Sequence, residues 1–145
     1  MNLSRIIYYS EVNPGVDLDL RQLLATSHKN NKQDKITGFL FFNKTYFLQV
    51  LEGGREQVSA RYHRIATDPR HKNLRLISCT DAHERAFPTW LMGLHGAMDE
   101  ETTDIFLRYF ATDEVDPATI NADSLLDVMQ LLALNVLAEM SSDGE

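Results

Sequence analysis

Tyr8, Gln49 and the pair Asn30-Asn31 are the side chains of this sequence best placed to do chemistry in an apolar setting. Tyr8 lies in the β-branched and aromatic run Arg5-Ile6-Ile7-Tyr8-Tyr9-Ser10, and Gln49 lies in Thr45-Tyr46-Phe47-Leu48-Gln49-Val50-Leu51. Strand alternation puts Ile6, Tyr8 and Ser10 on one face of the first run, and Phe47, Gln49 and Leu51 on one face of the second. If the two strands pair centrally, the phenol and the amide are neighbours. An amide in an apolar strand needs a partner, because leaving it unsatisfied costs about 1–3 kcal/mol. Tyr8, a ligand, or both would meet that need. Asn30-Asn31 closes a helical stretch, where its amides would edge a pocket between two helices. Taken singly, each has a plainer reading: a packed tyrosine, a helix cap, a glutamine bonded to backbone.

Other chemistries lack their spacing. His28, His63, His71, His83 and His95 form no metal-ligand pattern, and the lone Cys79 cannot build a thiolate zinc site. Ser10 and Ser27 have no nucleophile elbow. Gly53-Gly54 lacks a phosphate-binding fingerprint and reads as a strand-to-helix turn. Cys79 reads as a small buried hydrophobe in mid-strand.

Positioning these residues takes a sheet and two helices. The first strand stops at Asn13-Pro14-Gly15, and Asp17 is set to cap a helix carrying Leu20, Leu23, Leu24 and Ser27 and ending near Asn31. Ile36 to Phe42, a two-residue Asn43-Lys44 connection and Thr45 to Leu51 predict a β-hairpin. Its strands are apolar on both faces, so the sheet is covered on both sides. Val58, Tyr62 and Ile65 give a second helix closed by Asp68-Pro69, and Leu74 to Thr80 a fourth strand. A fifth falls around Trp90 to Leu94. The order predicts an α+β, ferredoxin-like βαββαβ(β) sheet with strands one and three central and two helices on one face. Two further helices, roughly 102–111 and 122–139, form a C-terminal helical cap on the other face. Leucine, valine and methionine from Leu125 to Leu137 spread around most of the last helix, which predicts a protein partner as their cover.

The formal charge of −7 argues against a nucleic-acid partner, since phosphate backbones are bound by clustered Lys and Arg. The amino terminus has no signal-peptide pattern, and the most apolar stretch falls short of the ~20 residues a bilayer span needs. With one cysteine and no export signal, the cytoplasm is the expected compartment.

In combination these segments are more specific. The first-strand run, Ser27 with Asn30-Asn31, Ile36-Thr37-Gly38, Phe47-Leu48-Gln49-Val50-Leu51-Glu52-Gly53, Asp68-Pro69-Arg70-His71 and Phe87-Pro88-Thr89-Trp90-Leu91-Met92 together resemble the BLUF family, blue-light sensors using FAD. The resemblance runs over about residues 3–95 and implies a flavin cofactor: FAD, with FMN or riboflavin as alternatives. It implies that Tyr8 is the light-driven electron and proton donor, and that Gln49 is the relay amide at the flavin N5 and C4 carbonyl edge. Asn31, with Asn30 beside it, would bond the ring, and Trp90 and Met92 would be the fifth-strand pair that exchanges near Gln49. Leu91 stands where some members carry serine or histidine. A turned or tautomerised Gln49 would present a new donor to the C4 carbonyl and shift absorption to the red. Flavin phosphates need donors, for which Arg64 comes first, then Arg70, His71 and Lys29; Leu23 and Ile65 would wall the ring.

The expected organisation is therefore a photosensory domain over 1–96 and a C-terminal interaction segment over 97–145, acting on a separate effector protein or forming a homo-oligomer. No output enzyme is expected within these residues. An acylphosphatase-like hydrolase of the same topology would need a phosphate-cradling loop after the first strand, where Glu11-Val12-Asn13-Pro14-Gly15 is acidic and lacks arginine. A structural assembly domain with an empty pocket would be colourless.

Overall fold

The computed structural model describes residues 2–89, 93–95 and 99–143. β1 (Leu3–Val12), α1 (Leu20–Asp34), β2 (Thr37–Phe42), β3 (Tyr46–Gly54), α2 (Arg55–Thr67) and β4 (His71–Ala82) are followed by β5 (Gly93–His95), α3 (Glu100–Tyr109) and α4 (Ala122–Asp143). The sheet order is β4-β1-β3-β2-β5, antiparallel throughout except for the parallel β2–β5 pair. This is the ferredoxin-like order expected from the sequence, with β1 and β3 paired at the centre. Gly38 allows the hairpin to close, because a Cβ there would lie 1.9 Å from the Val50 carbonyl oxygen.

α1 begins two residues later than the sequence suggested. Its cap is Asp19, whose Oδ1 accepts from Gln22 N at 3.1 Å. Asp17 and Asp19 are equally good capping residues, and packing decides between them. A cap at Asp19 puts Leu18 and Leu23 at the two ends of a hydrophobic staple, and both join one apolar cluster. The helix also runs past Asn31 to Asp34 and ends on Lys35 in the left-handed conformation, with Ile36 N returning to Asn31 O at 2.9 Å.

The two faces of the sheet are packed differently. Ile7, Phe39, Phe41, Leu48 and Val50 face α3 and α4 and form one continuous core with Ile105, Phe106, Leu125, Val128, Met129 and Leu132. The helical cap therefore covers the face expected. It also buries most of what a partner was expected to cover: Leu132 is in the core, and of the α4 residues described only Leu134 and Leu137 remain as exposed large hydrophobics. Cys79 is exposed rather than buried, because β4 is an edge strand with little packed against it. No helix among the described residues is long and apolar enough to cross a membrane.

The chain leaves β4 at one edge of the sheet and reaches β5 at the other, so the connection must pass the ends of β1, β3 and β2. It is caught midway by Glu52, a fully buried carboxylate on the α4 side of β3. Glu52 accepts from Ala86 N and Phe87 N, both at 2.9 Å, and from Arg5 Nε at 2.8 Å. Arg85 completes the clamp by donating to Thr37 Oγ1, Glu52 O and Lys35 O. Phe87 then stacks on Phe39 inside the core.

Candidate functional site

On the α1/α2 face the core is divided. Ile6, Tyr8, Ile36, Leu51 and Val58 form one cluster, and Leu23, Leu40 and Phe47 form another. A cavity of about 150 Å³ lies between them, bordered by residues of both. Interiors are normally packed without voids of this size, so a gap walled by two halves of one core is the shape left for a flat apolar ligand.

Of the cofactor contacts anticipated from the sequence, Tyr8, Leu23, Asn30, Asn31, Gln49, Arg64, Ile65, Arg70 and His71 border that cavity. Thr26, Ser27, Phe47, Arg61 and Asp68 join them. Lys29 does not. Trp90 and Met92 lie outside the described residues.

Tyr8 and Gln49 are direct cross-strand partners, and Tyr8 Oη donates to Gln49 Oε1. Both side chains are buried. Burial is the main reason that the Tyr8 phenol is pushed far above its ordinary pKa, with Asp68 and Tyr62 acting in the same direction. The hydroxyl therefore keeps its proton at neutral pH and serves as a donor. Tyr62 meets its ring edge-on at 5.9 Å.

His71 closes one side. Its Nδ1 is 2.6 Å from Ser10 Oγ, and its ring lies 4.6 Å from that of Phe47. Burial pushes its pKa down to about 4, with Asp68 raising it and Arg70 lowering it, so the imidazole is neutral at pH 7. Asp68 and Arg70 form a short ion pair, with Nη2 to Oδ2 at 2.5 Å and Arg70 N to Oδ1 at 2.9 Å. Burial alone would raise the Asp68 carboxyl, but the Arg70 hydrogen bonds outweigh it and hold the group below its usual range.

Arg61 was not anticipated. It is buried on α2, with Nη1 donating to Asn31 Oδ1 and Nη2 to Asp34 Oδ2 at 2.8 Å. A signal was present, since Arg61 stands three residues after Val58 and four before Ile65, on the same apolar stripe. A cation within a buried helical face needs a partner, and Asp34 was in view.

Among the described residues no cluster of His, Cys, Asp and Glu could hold a metal. A flavin fits what is present: apolar walls from Leu23, Ile65 and Phe47, amides at the sheet and at α1, and guanidinium groups of Arg64 and Arg70 for phosphate. Arg64 is exposed, whereas Arg70 is already paired with Asp68.

Comparison with known proteins points the same way. The family model "BLUF: Sensors of blue-light using FAD" matches residues 3–93. The blue light- and temperature-regulated antirepressor BluF of Escherichia coli (strain K12) is 32% identical over 109 residues, covering 74% of this chain and 27% of that protein. The photoactivated adenylate cyclase subunit beta of Euglena gracilis is 34% identical over 88 residues, 60% of this chain and 10% of that protein. The chain thus spans about a quarter or less of these two relatives. The photo-activated state of BlsA superposes with a TM-score of 0.81 at 25% identity, covering 90% of this chain and 94% of that one.

Proposed function

The chain belongs to the BLUF family, the sensors of blue light that use FAD, and from that premise we propose that it reads blue light through a flavin seated between α1 and α2, with the Tyr8–Gln49 pair as its switching element. A bound flavin supplies the blue absorption and an excited state that accepts an electron and a proton. The observation that carries the reading is the Tyr8 Oη to Gln49 Oε1 hydrogen bond at the border of the cavity.

The chemistry of those two side chains makes a switch. A phenol both donates and accepts, and an amide has one end of each kind. Gln49 in its present orientation accepts from Tyr8; turned by half a revolution, or tautomerised, it still finds a partner in the same oxygen. Two arrangements that each keep a Tyr8–Gln49 hydrogen bond are therefore available in one packing. Because Tyr8 is held protonated by burial, its proton is present to move. Leu23, Ile65 and Phe47 would hold the ring flat and exclude water, Asn31 and Asn30 would meet its polar edge, and Arg64 would be the first donor to a phosphate, with Arg70 and His71 behind it. FMN and riboflavin share the ring and would enter the same cavity.

The output would leave through the α4 side. Gln130 Nε2 donates to Ala86 O at 3.4 Å, joining α4 to the clamped connection that leads toward β5. Residues 1–96 would then be the sensor and 97–145 the segment that meets a separate effector or a second copy, with Leu134 and Leu137 as the apolar contacts. The cytoplasm suits the exposed thiol of Cys79. In purified, yellow protein, Tyr8→Phe and Gln49→Leu should each abolish a reversible light-induced red shift of the flavin band while leaving the flavin bound. A complete photocycle in Tyr8→Phe would overturn the assignment.

A further inference from the structure

The two amides at this cavity differ in what holds them, and the difference assigns a role to Arg61. Gln49 is held by a hydroxyl, which tolerates either end of the amide. Asn31 is held by a guanidinium, which carries only donors. The atom of Asn31 that meets Arg61 Nη1 must therefore be the carbonyl oxygen, however alike the two ends of an amide are in shape. Turning the Asn31 side chain would bring its NH₂ against the guanidinium and leave two buried donors facing each other.

Arg61 is in turn fixed from its other nitrogen. Asp34 stands three residues after Asn31 on the same helix and accepts from Nη2 at 2.8 Å, so the fork spans an i, i+3 pair of α1 from a single position on α2. Arg61 is 8% exposed and its bond to Asn31 is buried, which keeps water from substituting for that bond. The C-terminal turn of α1 is itself set by the return of Ile36 N to Asn31 O.

We infer that Arg61 is a positioning residue that locks the Asn31 amide with its donor end toward the flavin, beside a Gln49 whose phenol partner accepts either end of its amide. This rests on the flavin reading above. A switch needs a fixed reference: if both amides could turn, the ring could follow the relay instead of reporting on it.

The test is FAD titration of the apoprotein, followed by the dark absorption spectrum of each complex, for the wild type, Arg61→Met, Arg61→Gln, Arg61→Lys, Asn31→Ala and Arg61→Met/Asn31→Ala. Loss of one oriented hydrogen bond predicts roughly tenfold weaker FAD binding in Arg61→Met. Its flavin band should move in the same direction as in Asn31→Ala, and the double variant should bind no more weakly than Asn31→Ala alone. Arg61→Lys should recover part of the affinity, because one ammonium reaches Asn31 or Asp34 but does not fork across both. Should Arg61→Met fail to fold, Arg61→Gln carries the test, since it keeps bulk while offering Asn31 both a donor and an acceptor; FAD affinity within twofold of wild type in that variant overturns the proposal. Losses that multiply in the double variant also overturn it, since Arg61 would then act independently of Asn31. A wild type that binds no FAD removes the functional reading itself and this inference with it, whereas wild-type binding with indifferent Arg61 variants removes only the inference.

Discussion

Replacing Glu52 with alanine should loosen the fold and, with it, the route from the cavity to the helical cap. The carboxylate is fully buried and is the acceptor for two backbone N–H groups, those of Ala86 and Phe87, at 2.9 Å, and for Arg5 Nε at 2.8 Å. Removing it leaves those amides without their acceptor at roughly 1–3 kcal/mol each. Arg5 loses its carboxylate partner but keeps its bond to Glu84 O at 3.3 Å and an 18% exposed side chain, so water takes over part of its loss. The sum is about 3–5 kcal/mol, the range for breaking a buried charged pair from one side. For a domain of this size that lowers Tm by roughly 10 °C or more. Urea unfolding gives the free energy, and amide hydrogen exchange locates it: Ala86 and Phe87 should lose protection, while amides of β3 facing β1 keep theirs. Glu52→Gln, which keeps the shape but offers one acceptor oxygen for three donors, should fall between. A cooperative transition in Glu52→Ala within about 1 kcal/mol of wild type would refute the clamp.

Acid should act through His71. Its folded pKa is pushed down to about 4 by burial, so between that value and the ordinary value near 6.5 the unfolded chain binds the extra proton. The contribution is whole above pH 6.5 and is lost as pH falls toward 4, up to roughly 3 kcal/mol; urea unfolding of His71→Gln against wild type at pH 7 and pH 4.5 should show a flatter pH dependence in the variant, and parallel curves would contradict it. Gly38→Ala should cost about 3 kcal/mol or more, read as loss of soluble folded protein, because its Cβ would meet the Val50 carbonyl oxygen at 1.9 Å. Leu132→Asp should unfold the cap, whereas Leu134→Asp should change stability by less than about 0.5 kcal/mol and act on mass in solution or effector binding instead.

Alternation along β1 and β3 made the Tyr8–Gln49 pair legible, because period two fixes faces without any knowledge of partners, and one central pairing then fixes the neighbours. The cavity border was legible for a related reason: Leu23, Asn30, Asn31, Arg64 and Ile65 sit on helices whose apolar stripes must face the sheet. The Glu52 clamp was not. Its donors are backbone N–H groups 34 and 35 residues away, and a backbone donor leaves no mark in side-chain chemistry. The choice of Asp19 over Asp17 depended on which leucine could staple, a matter of packing. How much of α4 the sheet would cover was not legible for the same reason, since an all-round apolar helix does not say how much of its circumference the sheet will take: Leu132 is buried and Leu134 exposed. Arg61 was readable in principle, as a charge on an apolar stripe.

A light-minus-dark absorption spectrum of the purified protein tests the central claim most directly. The Tyr8–Gln49 switch predicts a yellow protein whose flavin band moves to longer wavelength under blue light and returns in the dark. A colourless protein, or a bound flavin whose band bleaches or stays fixed under illumination, would contradict it.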